Sequence, residues 1–206
     1  MVTLLVKRKL RRSSRPMKQY DRTQLLDTAI ELFRVNGYSD TSTAMLVDAL
    51  GVNRKTMYAE FGSKQDLFEA ALERYDGEHL SNVLAPLEAP AAGADAIRAA
   101  FASYADEADG WVRGKGCLMC NTAVERAALD DGAARFVDAY IARVTAAFRH
   151  ALGNARAAGD VGADADLDDL AAFLMMSLVG VVALIRAQAD PPLVHAACRV
   201  ATSRVG

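Results

Sequence analysis

Cysteine is scarce, with three in 206 residues. That number cannot build a disulfide framework, and without an extracellular context it argues for a reducing cytoplasm. Proline is scarcer than average, at five, while alanine abounds, a balance that favours helix. Strand-like alternation of apolar and polar residues is missing. No uninterrupted apolar run reaches the roughly 18 residues of a membrane span. The most apolar stretch, Leu170 to Ile185, contains Ser177 and Gly180 and is flanked by acids, so it reads as a buried helix. Met1 to Val6 is apolar, but the basic run follows it rather than precedes it, the wrong order for a secretory signal. There is no Gly-rich phosphate loop, no G-x-S-x-G and no H-E-x-x-H. His79, His150 and His195 are scattered without ligand spacing, so no metal and no cofactor is expected.

Apolar residues make up 52% of the chain, enough to bury a core and to argue against wholesale disorder. Charge is split along it. Residues 1–64 carry 12 Lys and Arg against 6 Asp and Glu, a net +6, and residues 65–206 carry 12 against 20, a net −8. A basic head on an acidic body suits a polyanionic partner. Membrane-surface binding is the weaker alternative, because Lys7 to Arg15 lacks an interleaved aromatic face.

Residues 1–16 hold Lys7, Arg8, Lys9, Arg11, Arg12 and Arg15 with no acid, and read as a mobile basic arm. Met17 offers a second start, which would remove the arm. Helical periodicity begins after Asp21 with Leu25, Leu26, Ala29, Ile30, Leu32 and Phe33 on one face, and Gly37 ends it. Thr41 or Ser42 caps a second helix; Gly51-Val52 makes a tight turn; Asn53 caps a third helix to about Phe61. Ser63 and Asp66 form a capping-box pattern ahead of a long helix from about Lys64 to Leu84. Pro86 to Gly93 reads as a loop. Further helices are expected near 94–108, 117–128, 132–158, 166–188 and 192–204, separated by Gly, Asp-Gly and Pro-Pro breakers. The expected fold is all-α with about nine helices: an arm at 1–16, a three-helix domain at 17–64 and a second helical domain at 65–206.

Three short helices with a Gly turn between the second and third describe a helix-turn-helix. Val52, Met57 and Phe61 would face Leu46, Leu50 and Phe33, leaving Asn53, Arg54, Lys55, Thr56 and Tyr58 outward as base-edge readers and phosphate donors. The run TSTAMLVDALGVNRKTMYAEFGSKQDLF is similar to the DNA-binding segment of the TetR/AcrR family of regulators, over about residues 20–70. The resemblance implies that Arg54 and Lys55 meet bases or phosphates, that Thr56, Tyr58, Ser42 and Thr43 meet phosphates, and that Lys64 holds the DNA backbone. Glu60 and Ala44 depart from the family's usual residues. Glu60 would be repelled by phosphate or accept from a cytosine amino group.

By the same resemblance the second domain is expected to bind a small effector and to dimerise through its last two helices, about 166–204. Leu170, Phe173, Leu174, Met176, Ser177, Val181 and Leu184 form one stripe, and Leu193, Ala196, Ala197 and Val200 another. Phe101, Tyr104, Trp111, Met119, Phe136, Tyr140, Phe148 and Met175 are the candidate pocket walls for a hydrophobic or aromatic effector, with core filler as the competing reading. Gly116-Cys117-Leu118 followed by Cys120 and Asn121 resembles a segment of one family branch. Cys117 would lie at a helix start, where the dipole lowers a thiol pKa. Buried packing, thiol sensing of oxidants or electrophiles, and a metal site are the readings of this pair. The expected function is a cytoplasmic homodimeric repressor, released from a palindromic operator by its effector. A thiol-sensing repressor is the alternative, and a thiol oxidoreductase the remote one. Asp164, Asp166, Asp168 and Asp169 read as a helix start favoured by the dipole.

Overall fold

The computed structural model describes residues 21–108, 110, 113–125 and 131–205. The basic arm and Trp111 therefore lie outside the described residues. The described chain is all-helical, as the composition implied. The head comprises α1 (Arg22–Asp40), α2 (Thr43–Leu50) and α3 (Arg54–Phe61). The body comprises α4 (Lys64–Tyr75), α5 (Ser81–Glu88), α6 (Ala94–Asp106), α7 (Leu118–Val124), α8 (Asp131–Ala158), α9 (Leu167–Arg186) and α10 (Pro191–Thr202).

Local chemistry sets the head. The Asp21 carboxylate accepts from the Thr23 amide, the Ser42 hydroxyl from Met45, the Asn53 side-chain oxygen from Thr56 and the Ser63 hydroxyl from Asp66. Each cap satisfies an amide that has no intrahelical partner, worth about 1 kcal/mol apiece. Gly51 takes the left-handed conformation at φ 64°, allowing the tight α2–α3 turn. Leu46, Met57 and Phe61 bury beneath α1 with Phe33, whose ring meets Phe68 of α4 edge-on at 4.8 Å. Truncating a ring so enclosed costs about 3–5 kcal/mol.

Two expectations along the fourth helix change. The chain stays helical from Lys64 to Glu88, so Pro86 lies inside a helix rather than opening a loop. Between α4 and α5 the helix widens into a π-helical segment, Asp76–Leu80. There side chains serve backbone carbonyls: Ser81 Oγ donates to Asp76 and Asn82 Nδ2 to Glu78. Counting this widened helix as one, the described residues form nine helices.

In the body α8 packs along α9, and α10 lies against α6 and α9. Phe101 of α6 and Phe148 of α8 stack at 6.1 Å in the core. Among the described residues one helix, α9, is long and apolar enough to cross a membrane. Its Leu174, Leu178, Val181, Val182 and Ile185 are instead buried in the bundle, as expected of a core helix, while Phe173 and Met176 face outward.

Candidate DNA-reading surface and effector cavity

Ser42 and Thr43 stand at the start of α2, and Asn53, Arg54, Lys55, Thr56 and Tyr58 at the start of α3 and along it. Five of the seven expected contacts on these two helices are exposed; Thr43 and Thr56 are half-buried, and the Thr56 hydroxyl and amide both meet Asn53 Oδ1, at 3.2 and 2.9 Å. Beneath them Met57 and Phe61 are buried, which fixes the outward direction of Arg54, Lys55 and Tyr58 by helical geometry. Lys64 stands apart from this group. Its ammonium donates to the Tyr38 carbonyl at 2.6 Å and sits 4.2 Å from the Tyr38 ring centre. Partial burial there lowers its pKa, against the attraction of Glu125 and Asp40.

Glu60, the unusual residue on the reading helix, pairs with Arg22 of α1 at 3.1 Å, and that guanidinium also lies over the Phe61 ring. The neighbouring cation offsets the carboxylate's repulsion of phosphate, weakly, since both groups are largely exposed. Sequence reading missed Arg22 because a pairing between α1 and α3 leaves no local pattern.

A cavity of about 160 Å³ opens where head and body meet. Arg34 of α1, Tyr75, Tyr104, Cys117, Val182 and Ile185 line it. Of the eight expected wall residues, Tyr104 borders this cavity. Phe101, Met119, Tyr140, Phe148 and Met175 are buried in the bundle, and Phe136 packs part-buried against it. Phe101 also edges a separate cleft between α6 and α10. A second cavity, about 420 Å³, lies between α7 and α9 against Cys120 and Asn121.

Arg34 is a buried charge that the sequence reading passed over, although it interrupts the apolar face of α1. Its Nε and Nη2 donate to the Gly116 carbonyl at 3.0 and 2.7 Å, and its Nη1 meets Glu31 at 2.7 Å. The residue next to Gly116 is Cys117, the N-cap of α7.

Both cysteines of the pair are buried. The Cys120 thiol lowers the Cys117 pKa to about 6 against the penalty of burial, with further help from the Cys120 and Met119 amides and the Tyr75 hydroxyl. The Cys117 sulfur makes no capping hydrogen bond of normal geometry, so the amides act on it as dipoles. Cys120 moves the opposite way, raised first by Cys117 and then by burial, and lies 3.2 Å from the Tyr140 hydroxyl. Burial is the main cause that raises Tyr75, Tyr104 and Tyr140, so all three stay neutral hydroxyls. Cys117 thus presents a thiol of lowered pKa to a small, largely apolar cavity. Among the described residues no three His, Cys, Asp or Glu side chains converge as metal ligands. Cys198 packs on α10, its pKa raised by burial.

A reading helix exposed on a capped three-helix head, joined to a helical body with an internal cavity, defines a one-component DNA-binding regulator. Residues 25–71 match the family described as "Bacterial regulatory proteins, tetR family", and residues 93–201 match "Tetracyclin repressor-like, C-terminal domain". The chain belongs to the TetR family of transcriptional regulators. It is 32% identical over 174 residues to the "Uncharacterized HTH-type transcriptional regulator YezE" of Bacillus subtilis (strain 168), covering 84% of this chain and 90% of that one. A shorter match, 50% over 58 residues, is to the "HTH-type transcriptional repressor ComR" of Escherichia coli (strain K12), 28% of each chain. Among solved structures, a cysteine mutant of the regulator CifR, complexed with 26-bp operator DNA, superposes with TM-score 0.74 at 26% identity, covering 92% of this chain and 98% of that one.

Proposed function

We propose that the protein is a homodimeric cytoplasmic repressor that leaves a palindromic operator when a small apolar or aromatic effector enters the cavity between head and body. The observation that carries this reading is the cavity's position. Its wall includes Arg34 from the head's first helix and Tyr75, Tyr104 and Cys117 from the body, so an occupant touches both. An occupant that prefers one head–body arrangement shifts the population toward it, and operator affinity follows. The domain division at about residue 64 fits the break where Gly62 closes α3 and Ser63 caps α4.

Dimerisation through α9 and α10 is supported by their outward apolar residues: Phe173 and Met176 on α9, Leu193 and Val200 on α10. Between them runs a shallow apolar groove edged by Gly180, Ala197 and Ala201, small enough residues for close helix approach. CifR's operator complex supports DNA as the partner. Ser42, Thr43, Asn53, Arg54, Lys55, Thr56 and Tyr58 would form the contact surface, with Lys64 joining only if it leaves Tyr38.

A second reading has one specific observation behind it, the place of Cys117, with its lowered pKa, in the cavity wall. An electrophilic carbon conjugated to a carbonyl would take the sulfur lone pair to form a C–S bond. The displaced π electrons would move to the carbonyl oxygen, and water would supply the proton. The remote oxidoreductase reading loses its support in a family of regulators.

Anisotropy of DNA from upstream of this gene, against a scrambled duplex, tests the main reading. Specific binding that a screened apolar compound abolishes supports it; binding no tighter than to the scrambled duplex sinks it. Replacing Cys117 with Ser separates the two readings. If release by iodoacetamide persists in that variant, the thiol reading fails.

A further inference from the structure

Helix α7 meets α1 at both of its ends, by different chemistry. At its start, the Arg34 guanidinium holds the Gly116 carbonyl. Asn121 Nδ2 returns hydrogen bonds to the carbonyls of Arg34 and Lys115, at 3.1 and 2.7 Å. At its other end, Glu125 Oε2 accepts from the backbone N–H groups of Tyr38 and Ser39, at 3.0 and 3.1 Å. Those two amides follow Gly37, where α1 breaks with φ 82°. A Cβ on Gly37 would fall 2.0 Å from Glu125 Oε1, so the carboxylate occupies space that another residue's side chain would fill. Lys64 binds the same turn from outside through the Tyr38 carbonyl.

The turn so held, residues 37–42, is the stretch of chain that delivers α2 and then α3. The geometry points to Glu125 as a positioning residue for operator recognition: a body-domain carboxylate, seated in a cradle formed by Gly37, that pins the entry to the helix-turn-helix. It touches no DNA in this role. It limits the orientations the head explores, and a restrained head loses less freedom on binding. This inference rests on the DNA-reading assignment above, but the pin itself can be read without DNA.

The sign of the effect separates positioning from plain charge. Removing an acid from a DNA-binding protein tightens binding when only charge matters. Loss of a pin weakens it. The experiment uses the full chain as wild type, Glu125→Gln and Glu125→Ala, measuring amide hydrogen exchange and operator anisotropy at two salt concentrations. Exchange at Tyr38 and Ser39 is expected to rise in both variants. Operator affinity is expected to fall about threefold to tenfold with an unchanged salt slope, because ordering and not a phosphate contact is lost. Gly37→Ala adds an independent check. Its steric penalty on melting temperature should be larger beside Glu125 than in the Glu125→Ala background, where the collision is gone. Unchanged exchange at the two amides, tighter operator binding in Glu125→Gln, or an equal Gly37→Ala penalty in both backgrounds would each overturn the assignment. Wild-type protein that binds no operator but shows protected Tyr38 and Ser39 amides would leave the pin standing and refute the DNA reading instead.

Discussion

The head and the body are built on different logics. In the head the helix starts and the α2–α3 turn have local causes: a hydroxyl, amide or carboxylate cap within three residues of the amide it serves, and a left-handed Gly51. Where the body meets the head the decisive contacts join residues far apart in sequence, such as Arg34 with Gly116, or Glu125 with Tyr38 and Ser39. Head stability should therefore divide into small independent portions, whereas the seam between the two regions should fail as a unit.

Four substitutions or titrations would break or sharpen that contrast. The largest effect belongs to the seam. Arg34→Met strands the Gly116 carbonyl in a buried site, and a loss of about 2–4 kcal/mol in chemical denaturation is expected. A loss below that of a single cap would mean that the seam is not cooperative. Next comes the reading surface. Arg54→Ala or Lys55→Ala should cost about 1–3 kcal/mol of operator binding while leaving the melting temperature alone, because both side chains are exposed. Equal losses on operator and scrambled DNA would reassign them to phosphate.

A smaller effect is due at a cap. Asn53→Ala removes the acceptor for Thr56 and should destabilise by about 1 kcal/mol, seen as a modest fall in melting temperature. The last contrast is read by titration and not by a single substitution's stability loss, at Cys117, whose pKa is lowered from 9.0 to about 6. Its contribution is full above pH 9, shrinks as pH falls and is gone below about 6. Cys120, raised instead, acts on the alkaline side of this window. The readout that isolates Cys117 is iodoacetamide alkylation of the Cys120→Ser, Cys198→Ser variant. Because Cys120 is the first cause of the lowering, that variant's rate midpoint should rise above 6. A midpoint still at 6 would show that Cys120 is not the source of the lowering.

Much of the fold was legible because its signals are local. Gly51, Ser42, Asn53 and the apolar spacing of α1 each name a structural event within a few residues. The seam was not legible, since nothing near Glu125 in sequence announces that its acceptors lie at Tyr38 and Ser39. Pro86 misled for a related reason. Proline is a breaker in an isolated helix, but burial of Leu84 and Leu87 holds this one together around it. The aromatic residues marked as cavity walls show a further limit. Periodicity says that Phe101 and Phe148 point inward, but it cannot distinguish a packed interior from a hollow one. Lys64 is basic at a position suited to phosphate, yet a carbonyl and a ring within reach hold it first.

The outward apolar face of α9 and α10 also has a genetic consequence. If it pairs two copies, reading helices come in twos while each subunit is made singly. A chain with a ruined α3 and an intact α9–α10 face would still be accepted as a partner. In a cell making both versions equally, half of all pairs would be mixed and a quarter doubly defective. Damage to the head would then behave as dominant, and damage to the pairing face as recessive.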